Sequence, residues 1–250
     1  MITDPVFFAI AALAVVFAGI SKGGFGSGAA FAAGAILATV IDPGQAIGIM
    51  LPLLMLMDVT SLKPYWGKWQ RRESWLMIIG ALPGIALGAF VYNQVNADVF
   101  RIMLGIMALA FVIWQWMQRA GLIGRLKNEP PDWVGLMAGG ASGFTSFISH
   151  AGGPPAAIYL LSKNPTKTEY QASTVVIFWV INMIKAVPYA FLGLFSLETL
   201  TLDLLLAPFA FLGVWLGVIG HKIISDRLFF GLTYVLLALT GVRLIWIAVA

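Results

Sequence analysis

The chain has 250 residues, 60% hydrophobic and 10% charged, where soluble domains carry about 25% charged residues. With mean hydropathy at +0.92, no soluble core could hide this much apolar side chain, so the composition is that of an all-α polytopic membrane protein. The absence of cysteine excludes disulfides, thiol nucleophiles and thiolate metal sites; two histidines are too few for a metal cage; and the net charge of +4 sits in loop bases, which gives no support to a nucleic-acid role.

In chain order, Met1-Ile2-Thr3-Asp4-Pro5 has no basic segment, so no cleavable signal peptide is expected. The first apolar run, 6–40, is interrupted by Ile20-Ser21-Lys22-Gly23-Gly24-Phe25-Gly26-Ser27-Gly28. A lysine, two serines and four glycines stand there, where a plain spanning helix wants Leu or Ile. Charge at membrane depth costs about 3 kcal/mol on insertion scales and usually faces protein or a water-filled cavity. Asp42-Pro43-Gly44 is a turn signal. Spans follow at 45–62, 74–91 and 99–117. The second half repeats the oddity: the run 133–161 is interrupted by Ile148-Ser149-His150-Ala151-Gly152-Gly153-Pro154-Pro155, and spans follow at 170–191, 202–219 and 228–248.

The bases fall in the loops at 63–73, 119–132, 163–168 and 221–227, whereas 92–98 and 193–203 hold none. Bases mark cytoplasmic loops, so the first set faces the cytoplasm and the second faces out. Each broken run then enters and returns on one face. Limbs of about 15 residues fall short of the ~20 that span comfortably. This favours a re-entrant hairpin whose two half-helices meet near mid-depth, with two thin crossings per run as the alternative. Each half, 1–125 and 126–250, is a hairpin plus three spans, and the odd number of crossings inverts the second half. Echoes in the same order support a duplication. They pair Ser21-Lys22 with Ser149-His150, Gln45-Ala46 with Gln171-Ala172, Asp58 with Asn182, Pro64-Tyr65 with Pro188-Tyr189, and Gly84 and Leu87-Gly88 with Gly213 and Leu216-Gly217. Inverted repeats with interrupted helices are the mark of secondary transporters.

At each break the second limb starts with free amides and the positive end of its dipole. Glycines let an oxyanion approach those amides, Ser27 adds a hydroxyl, Lys22 a full charge and His150 a switchable one. The sum is an anion site with several donors and no fixed acid among the break residues. The plainer reading is that the glycines serve close helix packing and that Lys22 snorkels to an interface. Asp58 is either an interfacial carboxylate or a gating group. Asn182 and Lys185, at i and i+3, share a helix face, and Lys185 either pairs with Asp58 or lines the substrate path. Arg101 and Arg243 read as anchors, His221 as solvated, and Trp66, Trp69 and Trp75 as an interfacial belt. The glycine cluster is no P-loop, since no Gly-Lys-Ser/Thr closes it, and no cofactor is expected.

From Ser21-Lys22-Gly23-Gly24 through Gly28, and from Gly143 through Pro154-Pro155, the chain resembles the TauE/SafE family of sulfite exporters and related anion permeases. The length, the duplicated layout and the basic loop after Lys63 agree over essentially the whole chain. The resemblance implies an exporter of small sulfur-containing or organic anions, such as sulfite or an organosulfonate like sulfoacetate. It also implies that Ser21, Lys22, Gly23, Gly24, Gly26, Ser27, Ser149, His150, Gly152 and Gly153 touch substrate. Proton coupling, with His150 as the carrier, uniport and homo-oligomer formation all stay open. The rivals are a passive anion channel lined by the same hairpins and an intramembrane enzyme. The enzyme reading is thin, because adjacent Ser149 and His150 point about 100° apart on a helix.

Overall fold

The computed structural model describes residues 4–25, 30–122, 130–223 and 226–250, and all regular structure among them is helical. Gly26, Ser27 and Gly28 of the first break and Arg125 and Lys127 of a basic loop lie outside the described residues, as do the side chains of His221, Lys222 and Arg227. The helices are α1 (Pro5–Ile20), continued by a π-helical turn (Ser21–Phe25), then α2 (Phe31–Leu37), α3 (Pro43–Tyr65), α4 (Arg71–Tyr92) and α5 (Ala97–Arg119). The second half supplies α6 (Asp132–Ser149), α7 (Gly153–Ser162), α8 (Lys167–Phe191), α9 (Leu197–Ile223) and α10 (Asp226–Val249). Among the described residues, six helices are long and apolar enough to cross a bilayer.

Local chemistry sets the starts. Asp4 caps α1 by accepting from the amides of Val6 and Phe7, and Asp42 caps α3 from Gly44 and Gln45, each with proline at the first helical position. Thr166 and Glu169 close a capping box at α8.

The helices pair reciprocally. α4 lies along α6 and α1 along α9, while α5 meets α10 and α3 meets α8. The third element of each half thus packs on the first element of the other, which is consistent with an inverted duplication. Glycine makes both contacts close: a Cβ at Gly84 would stand 2.0 Å from the Gly140 carbonyl oxygen, and one at Gly24 would stand 2.2 Å from that of Gly217.

Both hairpins have unequal limbs, not the two of about 15 residues expected. The segment Pro5–Phe25 has 21 residues and α6 has 18, against 7 for α2 and 10 for α7. At 1.5 Å per residue the helices of the short limbs reach roughly 11 and 15 Å, less than a ~30 Å hydrocarbon core. The breaks also lie at different depths. The first meets α3 at Asp58 and the second meets it at Ile47, about 16 Å apart along the helix. The two breaks are thus offset along α3, and side chains bridge the gap between them.

Candidate functional site

At the first break, the π-helical turn directs Lys22 inward. Its ammonium forms an ion pair with Asp58 on α3, with the two residues only 3% and 1% exposed. Nζ also lies 5.8 Å from the centre of the Phe178 ring. A π turn loosens the local hydrogen-bond ladder, and side chains take up the carbonyls. Gln171 Nε2 donates to Lys22 O at 2.6 Å, and the Tyr65 hydroxyl donates to Gly23 O at 2.8 Å. Gly23 and Gly24 face Val214 and Gly217 of α9.

At the second break, His150 takes a left-handed conformation, φ 57°, which ends α6. Histidine visits this region more readily than most residues. Its amide donates to Ser146 O at 2.9 Å, and Ser142 Oγ donates to Gly152 O at 2.8 Å, which pins the turn. Tyr189 repeats the role of Tyr65 by donating to Phe147 O at 2.6 Å. Ser149 Oγ donates back to Thr145 O at 3.1 Å. Gly152 lies against Phe178 and Ser142.

α8 carries the bridge. Lys185, fully buried, donates to Ser146 O (2.8 Å), Ser146 Oγ (3.1 Å), His150 Nδ1 (2.9 Å) and Asn182 Oδ1 (3.2 Å). Asn182 Nδ2 donates to Asp58 Oδ2 at 2.8 Å. Because the Ile47 carbonyl can only accept, Nε2 of His150 carries the proton and donates to it at 3.1 Å, which leaves Nδ1 of the neutral ring to accept from Lys185. One chain thus runs Lys22, Asp58, Asn182, Lys185, His150, Ile47 and ties the two breaks together.

Along this chain two lysines share one carboxylate, and Asp58 is committed to Lys22. Lys185 has only neutral partners among the described residues.

Space is divided accordingly. Between the breaks, Lys22, Leu54, Ser146, His150, Phe178 and Asn182 surround a cavity of about 10 Å³, room for about one water molecule. A vestibule of about 440 Å³ opens at the basic-loop end and touches both breaks, at Gly24 and Phe25 and at Gly153 and Pro154. Gln115, Gln118, Trp114 and Gln171 also line it. At the opposite end a cleft of about 230 Å³ lies between Asp42, Gln45, Tyr92 and Thr199.

Several expectations change. Asp58 is not interfacial: it neutralises Lys22, so the first break has an acid after all, supplied by a neighbouring helix. Lys22 does not snorkel. Lys185 pairs with neither Asp58 nor any other carboxylate among the described residues. Gly23, Gly24 and Gly152 press against neighbouring helices, and Gly24 and Gly153 also line the vestibule. The α7 terminus is poor in donors, since Pro154 and Pro155 carry no amide hydrogen. Gly26 and Ser27 lie outside the described residues. Ser146, Gln171, Tyr65 and Tyr189 are additions; of these, Gln171 and both tyrosines had surfaced only as repeat echoes.

Comparison with protein families finds one match, to the family described as Sulfite exporter TauE/SafE, over residues 11–244. No curated protein and no solved structure matches the chain.

Proposed function

The chain belongs to the sulfite exporter TauE/SafE family, and from that membership together with the buried junction we propose a secondary transporter that exports a small sulfur-containing or organic anion. Sulfite or an organosulfonate such as sulfoacetate is the substrate, and the membrane is the inner membrane of a bacterium. The observation that carries this reading is the buried Lys185 amine, which has no carboxylate partner among the described residues and lies beside Ser146, Asn182 and His150. A monoanion would supply that partner, and Lys22, Lys185, Ser146 and Asn182 are groups able to donate to its oxygens.

Alternating access supplies the route. The anion enters the basic-end vestibule, where Lys167 is the charged side chain on the wall, and is stopped by the Gln171 bond to the Lys22 carbonyl. Release of that bond lets the π turn move along α9, and the anion reaches the junction. Rocking of the reciprocally paired halves then opens the far cleft, in the manner of inverted-repeat carriers. Two separate cavities with a closed junction between them favour a carrier over a continuous pore. Membership of an exporter family supports a transporter over an enzyme.

The test is exchange in proteoliposomes. Wild-type protein loaded with sulfite should take up labelled sulfite, and competition by sulfoacetate, taurine and sulfate ranks the substrates. Loss of exchange is expected in Lys22→Ala and Lys185→Met variants that still fold. Undiminished exchange in both would remove the site.

A further inference from the structure

Asp203 on α9 is 7% exposed, and neither of its carboxylate oxygens has a hydrogen-bond partner among the described residues. A full charge buried without a donor is costly, and an orphaned buried polar group calls for an explanation. The transport route above does not use it.

Its position supplies a second fact. Thr199 lines the 230 Å³ cleft at the end remote from the basic loops, and Asp203 lies one turn deeper on the same face of α9. The same cleft is walled by Gly44 and Gln45 of α3, and less than a turn further on is Ile47, whose carbonyl accepts from His150. Asp203 therefore stands beside the closed outer route to the anion junction.

The elements packed on α9 are α1, α3 and the π turn. α1 brings Asp4, at its N-cap. α3 brings Asp42, at its N-cap, then Asp58, Lys63 and Tyr65 in its second half. The π turn brings Lys22, which is held by Asp58 and sits beside Gly217, about 20 Å along α9 from Asp203. Tyr92 of α4 is on the cleft wall, and Glu198 is on α9 itself. Among the described residues, no base from these elements lies at that end.

Resting on the transporter reading, we propose that Asp203 is the proton-binding group of this carrier. The carboxylate takes a proton from water in the outer cleft and returns it to water when the halves have rocked, so that one proton moves for each anion cycle. Coupling then resides on α9 and leaves His150 to hold the junction together.

The experiment uses purified protein in liposomes containing a pH-sensitive dye, with methanesulfonate and isethionate as permanently ionised probe anions. A gradient of either probe should drive proton movement through the wild-type chain. In Asp203→Asn, anion exchange should persist while proton movement falls to that of protein-free liposomes. Proton movement undiminished in the variant, or absent from a wild-type chain that exchanges the probes, overturns the assignment. A wild-type chain that exchanges neither probe nor sulfite removes the transporter reading and takes the proton site with it. Should the variant fail to fold, infrared spectra of the wild-type protein decide. A protonated-carboxyl band that shifts in Asp203→Glu supports the site, and its absence at every pH overturns it.

Discussion

Lys185 and His150 share a single hydrogen bond of 2.9 Å, from Nζ to Nδ1, and it determines how charge is held where the two breaks are joined. With Nδ1 accepting and Nε2 donating to Ile47, the ring is complete as the neutral tautomer. The lysine then has only neutral partners around it. Asn182 extends the same network to Asp58 and so to Lys22. One break carries a balanced ion pair, the other a lysine with no carboxylate partner among the described residues.

Replacing Lys185 tests function and stability together. Lys185→Met strands no counter-ion but leaves His150 Nδ1, Asn182 Oδ1 and Ser146 without their donor, so the fold should lose about 1–3 kcal/mol. Hydrogen bonds to charged groups contribute about 1.5–3 kcal/mol, so anion affinity should fall by about 10- to 100-fold. Calorimetric titration with sulfite, beside thermal unfolding in detergent, reads both quantities.

Asp58 behaves in the opposite way. Asp58→Asn leaves Lys22 buried without its partner, a loss of about 3–5 kcal/mol. Adding Lys22→Met should recover most of the melting temperature but not the transport. A double-mutant cycle in which the two losses simply add would show that the pair is not coupled.

Gln171 is expected to act as the inner gate. Cutting its bond to the Lys22 carbonyl with Gln171→Ala should open the way from the vestibule to the junction. The chain has no cysteine, so a single Leu54→Cys reporter on the junction wall gives a clean reading. A soluble thiol reagent should label it faster in the Gln171→Ala background, and equal rates would place the gate elsewhere.

Much of this layout was legible before the structure. Lys22 and His150 stand out because an apolar run has no other reason to carry them, and Asn182 and Lys185 announce a shared face by their spacing. The partners were not legible. Hydropathy locates Asp58 within a span, but the rotation of α3 that turns it toward Lys22 is set by packing on α8 and α9. The glycines were ambiguous for a related reason: glycine permits close approach by a ligand or by a helix, and only the position of α9 shows that Gly23 and Gly24 pack against a helix. The unequal limbs were hidden because apolar composition runs on through the turns.

Packing should also distinguish two glycines of similar sequence context. A Cβ at Gly84 would collide with the Gly140 carbonyl, so Gly84→Ala should cost about 1–3 kcal/mol and lower the melting temperature. At Gly34 the nearest atoms, in His150 and Met50, lie 3.7 Å away, and Gly34→Ala should leave the fold intact.

The most direct test is to see the anion. Selenite has the shape and charge of sulfite and scatters X-rays anomalously, so crystals grown with it report its position without ambiguity. The account predicts an anomalous peak within hydrogen-bonding reach of Lys185, Ser146 and Asn182, with the small cavity between the breaks enlarged around it. Selenite bound only on the loops or at the vestibule mouth, with the junction still closed and dry, would contradict it.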